Sequence, residues 1–411
     1  MDLSFGPEYD DFRADVVSFL ANNADKAPKG NDLRGEAAKD WQTLLIENGY
    51  TCRTIPKEYG GYGAQPDIIK SRIIAEEFSS ARVNAGLGGQ GISMLVPTLL
   101  EMGTQEQKEQ FIRPTIHGEM LWCQGYSEPG AGSDLASLTT SAVLDGDEWV
   151  LNGQKIWTSS GHLANWIFVL GRTSPDEAKH QGITFFLCPM DQKGVEVRPI
   201  VNIAGHSHFN EVFFSDARVP RENVIGQVNG GWAVAMTLLG YERGFGATTT
   251  YFRYRAELDR LVEMAQDKGR TQDTGIRQRL AWCHSKVEIM RWLGQQVLTS
   301  FLNGEPPGPK SSIVKLNWSE YHRVVTELSL DILGSDAMLV EGEHGYAAGL
   351  GAADAGTPNT SSAWINSFLS ARSGTIYAGT SQVQRNIIGE RILGLPKEPR
   401  SDEGPWNNTL R

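Results

Sequence analysis

The chain has 411 residues, 40% of them hydrophobic and 21% charged, with 45 glycines; this is ordinary globular composition at a length that suits two or three domains. A net charge of −11 without a dominant basic patch argues against nucleic acid as a partner. No apolar run is long enough to span a bilayer, the acidic start fits neither a secretory signal nor a transit peptide, and Cys52, Cys123, Cys188 and Cys283 lack paired spacing, so the expected setting is a reducing cytoplasm, with no membrane, disulfide framework or zinc site.

Residues 1 to about 120 carry helical periodicity. Phe12, Val16, Phe19 and Leu20 recur at helical spacing, and Trp41, Leu44, Leu45 and Ile46 begin a second helix that closes at Asn48-Gly49. Pro56 to Gly63 is a loop by composition, Ile68 to Ser80 and Ile92 to Met102 read as helices, and Thr104-Gln105-Glu106-Gln107 reads as a helix start. From about 121 to 228 short strands follow, around Val143, Trp149-Val150, Ile156, 166–170, 183–187, 195–197 and 212–214. Asp145-Gly146 and Asn152-Gly153 read as two tight hairpin turns, and the whole segment as a small barrel or sandwich.

The helical period returns at Gly230. Leu280, Cys283, Val287, Met290 and Val297 form a stripe in which Gly294 fills a gap, and helices near 232–267, 274–302, 312–334 and 362–393 predict a four-helix bundle. Residues 341–360 read as an irregular loop and Pro396 to Arg411 as an extended polar tail. The expected organisation is α+β: a helical domain at 1–120, a β domain at 121–228, a helical bundle at 229–395 and the tail at 396–411.

The most informative stretch runs from Cys123 to Gly161. Its loop Ser127-Glu128-Pro129-Gly130-Ala131-Gly132-Ser133 offers close backbone approach, bare N–H groups and two hydroxyls, which suit an anionic or planar polar ligand. With the segments 210–245 and 374–395, this stretch resembles the acyl-CoA dehydrogenase family, and the resemblance covers nearly the whole chain. It implies FAD as cofactor, an acyl-CoA substrate, and an electron acceptor such as electron-transfer flavoprotein.

Carried over residue by residue, the resemblance assigns Gln124, Tyr126, Ser127, Gly132 and Ser133 to one side of the flavin and Trp157, Thr158 and Ser159 to further contacts. Ser133 also matches a position that touches the CoA portion. Thr380, Ser381 and Gln382 resemble the second flavin-contacting segment; Gln384 and Arg385 fit a solvated helix face equally well. Taken alone, Trp157 reads as a core aromatic.

The reaction needs a carboxylate beside the substrate α-carbon. Many family members carry that Glu where this chain has Ala378, before Gly379-Thr380. The alternative family position, a Glu directly before an Arg on a helix, matches Glu242-Arg243, although such a pair is also compatible with a simple solvated ion pair. Glu242 is therefore the expected base, Arg243 supports the CoA moiety or the carboxylate, and the backbone N–H at Ala378 is the expected donor to the thioester oxygen.

Two family features are missing. The Arg-x-x-Phe-Gly segment that reaches a neighbour's FAD is replaced by a Gly/Asp-rich stretch at 269–280, and Asp331-Ile332-Leu333-Gly334-Ser335 stands where Gln-x-x-Gly-Gly is usual. Symmetry would repeat both defects in a homodimer. The pattern resembles the two-gene, α2β2 members of actinobacteria, many of which act on steroid side chains, and implies a second subunit and a bulky acyl group. A non-catalytic subunit and a flavin oxidase of the same fold are the competing readings.

Overall fold

The computed structural model describes residues 6–28, 35–243, 246–305, 308–338, 351–352, 357–397 and 405–406, with the side chains of 242, 243 and 247 outside the description. The chain divides into two compact units, one of residues 1–53, 64–86 and 243–396 and one of residues 54–63, 87–242 and 397–411. The N-terminal helices are thus shared between the two.

The helical unit contains α1 (Pro7–Asn23), α2 (Glu36–Glu47) and α3 (Ile68–Ala81). Val16, Phe19 and Leu20 of α1 pack with Trp41, Leu45, Ile73 and Phe78 in one core, as their spacing predicts. α4 (Val96–Met102) and α5 (Gln105–Ile116) belong to the other unit. At the start of α5, Thr104 and Gln107 form a reciprocal capping box, which satisfies two donors that a helix N-terminus otherwise leaves open.

The sheet unit holds β1 (Trp122–Gly125), β2 (Ser141–Asp145), β3 (Glu148–Ser159), β4 (Trp166–Arg172), β5 (Ile183–Pro189), β6 (Val195–Ile200), β7 (Phe209–Pro220) and β8 (Val224–Ile225). They form one mixed sheet in the order β6-β7-β3-β2-β4-β5-β8, with β1 parallel beside β4. The path is not closed. Ile167, Val169 and Phe186 nevertheless share one core with Val212, Phe214 and Val219 from the other end of the path, so the sheet folds over itself.

The turn expected at Asn152-Gly153 is instead the middle of β3. Opposite it, β7 sets two residues, Ser215 and Asp216, against Asn152 in a bulge, and the Asn152 side chain accepts from the Asp216 N–H at 2.9 Å and donates back to its carboxylate at 3.0 Å. Gly153 is required there because a Cβ would lie 2.6 Å from Thr140 Oγ1. A strand glycine marks close backbone approach as readily as a turn. The Asp145-Gly146 turn stands as expected, with Gly146 at φ +65° and Asp145 paired to Glu148.

The remaining helices are α6 (Gly231–Arg243), α7 (Gly246–Asp267), α8 (Thr274–Leu302), α9 (Lys310–Leu333), α10 (Ser361–Ala371) and α11 (Ser381–Arg391). Tyr254, Leu258 and Leu261 of α7 meet Cys283, Val287 and Met290 of α8, Tyr321, Val325 and Leu328 of α9 and Trp364 of α10. Two expected helices are each divided. The first gives α6, in the sheet unit, and α7. The last is broken between α10 and α11, where Ala378 at φ +52° and Gly379 at φ +92° are successive left-handed residues that a right-handed helix cannot contain. Most of the loop expected at 341–360 and most of the tail lie outside the described residues.

Candidate functional site

The glycine-rich loop joins β1 to β2 and is held from below by a buried ion pair. Lys155, on the inward face of β3, is fully buried, and its Nζ lies 2.8 Å from Glu128 Oε1 and 3.2 Å from the Tyr126 carbonyl. Glu128 also accepts from the Thr139 N–H at 2.6 Å, the Thr139 hydroxyl at 2.7 Å and the Thr140 N–H at 2.9 Å. Burial alone would raise the Glu128 pKa, but the Lys155 charge and these hydrogen bonds outweigh it and hold the carboxyl at about 2. Burial keeps Lys155 below the ordinary lysine value against the pull of Glu128. Sequence reasoning missed both residues.

Above this anchor the loop is open. The Ser127 carbonyl accepts from the Ile156 N–H at 2.9 Å, while Gly132 and Ser133 are exposed. A Cβ placed on Gly130 or Gly132 would meet no atom within 4 Å. Gln124 is bonded to Gln90 at 2.8 Å. The Tyr126 ring lies in the core, edge-on to Phe168 and Phe185, so it supports the loop through packing and its carbonyl.

A second bulge turns Trp157 outward. Between Lys155 and Thr158, β3 advances three residues while β7 advances two. Trp157 takes φ +61° and stands 58% exposed, its ring 6.1 Å from that of Phe209. A positive φ at a bulky residue is strained and recurs at binding sites. Thr158 turns inward, fully buried, and its Oγ1 has no partner among the described residues. Ser159 is partly buried opposite Phe209.

In the helical unit, the expected second segment is a turn leading into α11. Thr380 caps the helix, accepting from the Val383 N–H at 3.1 Å; the Ser381 hydroxyl donates to Glu320 at 2.8 Å, and Gln382 is exposed. Gln384, 1% exposed, donates to the carbonyls of Ala378 and Gly379 at 3.1 and 3.3 Å. It therefore pins the left-handed turn rather than lying on a solvated face. The Ala378 N–H has no hydrogen-bond partner among the described residues.

Glu242 and Arg243 end α6, but their side chains lie outside the description. The preceding residue anchors that turn: the Tyr241 hydroxyl donates to Glu101 of α4 at 2.7 Å, and burial together with this carboxylate pushes its pKa up to about 12. Near the two missing family features, Asp331 forms an ion pair with Arg279, and Arg270 reaches the Asp331 carbonyl at 3.4 Å.

Open glycines, an outward tryptophan and a buried hydroxyl with no partner among the described residues fit a planar flavin and its attached chain. Helices before and after a mixed sheet that carries such a loop match the organisation expected of an acyl-CoA dehydrogenase. The profiles of the acyl-CoA dehydrogenase N-terminal, middle and C-terminal domains match residues 6–119, 123–217 and 229–393. The chain belongs to the acyl-CoA dehydrogenase family, whose members are FAD-dependent flavoproteins. It is 38% identical to acyl-CoA dehydrogenase IpdE1 of Mycobacterium tuberculosis, across 96% of this chain and 99% of that one. Among solved structures it resembles the Tcur3481-Tcur3483 steroid ACAD (30% identity, TM-score 0.79, 97% and 100% covered). It also resembles the ChsE4-ChsE5 complex from Mycobacterium tuberculosis (29% identity, TM-score 0.76, 97% and 100% covered). No described helix is long and apolar enough to cross a membrane.

Proposed function

We propose that this chain is the base-bearing subunit of a two-component, cytoplasmic acyl-CoA dehydrogenase that introduces an α,β double bond into a bulky acyl-CoA, such as one with a steroid side chain. The observation that carries the catalytic assignment is Ala378. Its position offers a backbone N–H without a partner among the described residues and no carboxylate, so the base must come from elsewhere, and Glu242 matches the family's alternative position for it.

In this reading Glu242 takes the α-proton. The Ala378 N–H donates to the thioester oxygen, where negative charge develops as the proton leaves. Ser133 and Arg243 hold the CoA portion, and Gly379 lets the turn approach the acyl group closely. FAD, when bound, accepts the hydride from the β-carbon, and an electron-transfer flavoprotein takes the electrons onward. Gln124, Ser127, Gly132, Trp157, Thr158 and Ser159, with Thr380, Ser381 and Gln382, are the proposed flavin contacts; Tyr126 contributes from below.

The Arg279–Asp331 pair supports the two-component assembly. An aspartate already bound to its own arginine offers nothing to a neighbour's pyrophosphate. The relatives named as Tcur3481-Tcur3483 and ChsE4-ChsE5 each pair two chains, which accords with an α2β2 arrangement here. An open flank supports a bulky substrate: a Cβ on Gly240, two residues before Glu242, would meet no atom of the described residues within 4 Å.

Glu242→Gln tests the assignment. The variant should keep FAD and acyl-CoA binding and lose turnover by about 10³-fold. Near-normal turnover would remove Glu242 from the mechanism and favour the non-catalytic subunit. Rapid reoxidation in air with peroxide release would make the protein an oxidase instead.

A further inference from the structure

The segment expected to be a polar tail contains one aromatic side chain, Trp406, and the sheet unit buries it to 8% exposure. Pro405 forms an antiparallel bridge with Ala178, and the Trp406 N–H donates to the Glu177 carbonyl at 2.8 Å. The indole face covers a guanidinium: Arg172 Cζ lies 4.7 Å from the ring centroid.

Arg172 is itself buried, at 4% exposure. Its Nη1 donates to the carbonyls of Lys179 and Gln181, each at 3.0 Å, and its Nη2 to those of Ala136 at 2.6 Å and Leu138 at 3.5 Å. Neutral carbonyls take up the edge of the guanidinium, and the indole supplies electron density to its face, an attraction strengthened by desolvation. A second route starts at the bridge. Lys179, next to Ala178, reaches the two Asp134 carboxylate oxygens at 2.9 and 3.1 Å.

Both routes end on residues 134–138, immediately after the glycine-rich loop. Within that loop only Glu128 and Ala131 are buried, joined by a backbone bridge, while Gly130 and Gly132 stand in open space, so the shape of its exposed part depends on how its ends are held. Lys155 and Glu128 hold the first end. We propose that Trp406 holds the second: the C-terminal strap, docked on Arg172 and on the Glu177–Lys179 backbone, is a positioning element for the loop 127–133. Its bearing on flavin rests on the assignment of that loop given above.

The test is amide hydrogen exchange on the full chain. The N–H groups of Ser137 and Leu138 donate to the carbonyls of Asp134 and Leu135, each at 3.1 Å, and report the order of this segment. Trp406→Ala should speed their exchange about tenfold and leave amides of α8 unchanged, while Trp406→Phe, which keeps an aromatic face, stays close to the parent. Trp406→Leu keeps the apolar volume without the π face and gives the same contrast should the alanine variant fail to fold. Unchanged exchange at 134–138 in both the alanine and leucine variants overturns the strap. In the parent co-expressed with its second subunit, adding FAD should slow exchange across 127–138, and the Trp406→Ala complex should bind FAD about tenfold more weakly. Exchange that ignores FAD in that parent complex overturns the flavin assignment of the loop and leaves the strap standing on the first result. A protected loop with unaltered FAD affinity in Trp406→Ala overturns the positioning role.

Discussion

Lys155 and Glu128 show what one pair of side chains does for a loop that is mostly exposed. Each charge is acceptable in the interior only because of the other and of the three Thr139 and Thr140 donors. Removing Lys155 alone strands the carboxylate, at a cost of about 3–5 kcal/mol. Lys155→Met should therefore lower the stability of the sheet unit by that amount in urea titrations, and a double change with Glu128→Gln should cost less than the sum of the two single changes. The pair also sets a pH dependence. The Glu128 pKa is depressed in the folded chain to about 2 from 4.5, so its stabilisation is complete above pH 4.5 and is lost as pH falls toward 2. At its largest this amounts to about 3 kcal/mol. Acid titration of Glu128→Gln should be flatter than that of the parent between those limits; identical curves would show that the carboxylate is not held as described. Neither residue stood out in the sequence, where both resemble ordinary surface charges. The usable signal was phase: with Trp149 and Leu151, Lys155 falls on the inward positions of an alternating strand.

Among the elements, β3 carries most of the candidate site, and it was the element least legible in the sequence. Its start and composition could be read, as could the Asp145-Gly146 turn. Asn152-Gly153 could not, because the same dipeptide serves a hairpin turn and a bulged strand, and what decides between them is Thr140 and Asp216, distant in the chain. Helices α1, α2 and α8 were legible because burial there follows a local period. The break before α11 was not, since it depends on the φ of Ala378, a residue type that gives no hint of left-handed geometry. Two variants read the element directly. Gly153→Ala adds a Cβ 2.6 Å from Thr140 Oγ1 at φ +152° and should cost about 1–3 kcal/mol. Trp157→Gly should do the opposite: glycine accepts φ +61° without strain and the lost ring is mostly solvent-exposed, so stability should rise by about 1 kcal/mol while FAD affinity falls. A Trp157→Gly protein that melts lower than the parent would mean that the ring is a packing element rather than a strained ligand contact.

At the scale of the molecule, the question is whether one chain is enough. The sheet unit carries the open loop and the outward tryptophan, and the helical unit carries the Ala378 N–H, which has no partner among the described residues. The 269–280 stretch, in contrast, is folded onto its own unit. The Asp273 side chain caps α8, accepting from the N–H groups of Gly275 and Ile276 at 2.9 and 3.2 Å, and Arg279 is spent on Asp331. The Phe-Gly of the family's Arg-x-x-Phe-Gly segment is missing from that stretch. In a symmetric homodimer both sites would share this lack, whereas a partner with the intact segment supplies it once at each mixed interface. The chain co-expressed with such a partner should run in native mass spectrometry as two copies of each subunit, with two FAD molecules per tetramer. Purified alone it should hold well under one FAD per chain, and adding the partner should restore binding. A homo-oligomer that retains one FAD per chain and full turnover would show that the residues at 269–280 and 331–335 were dispensable, and the two-component reading would fall with them.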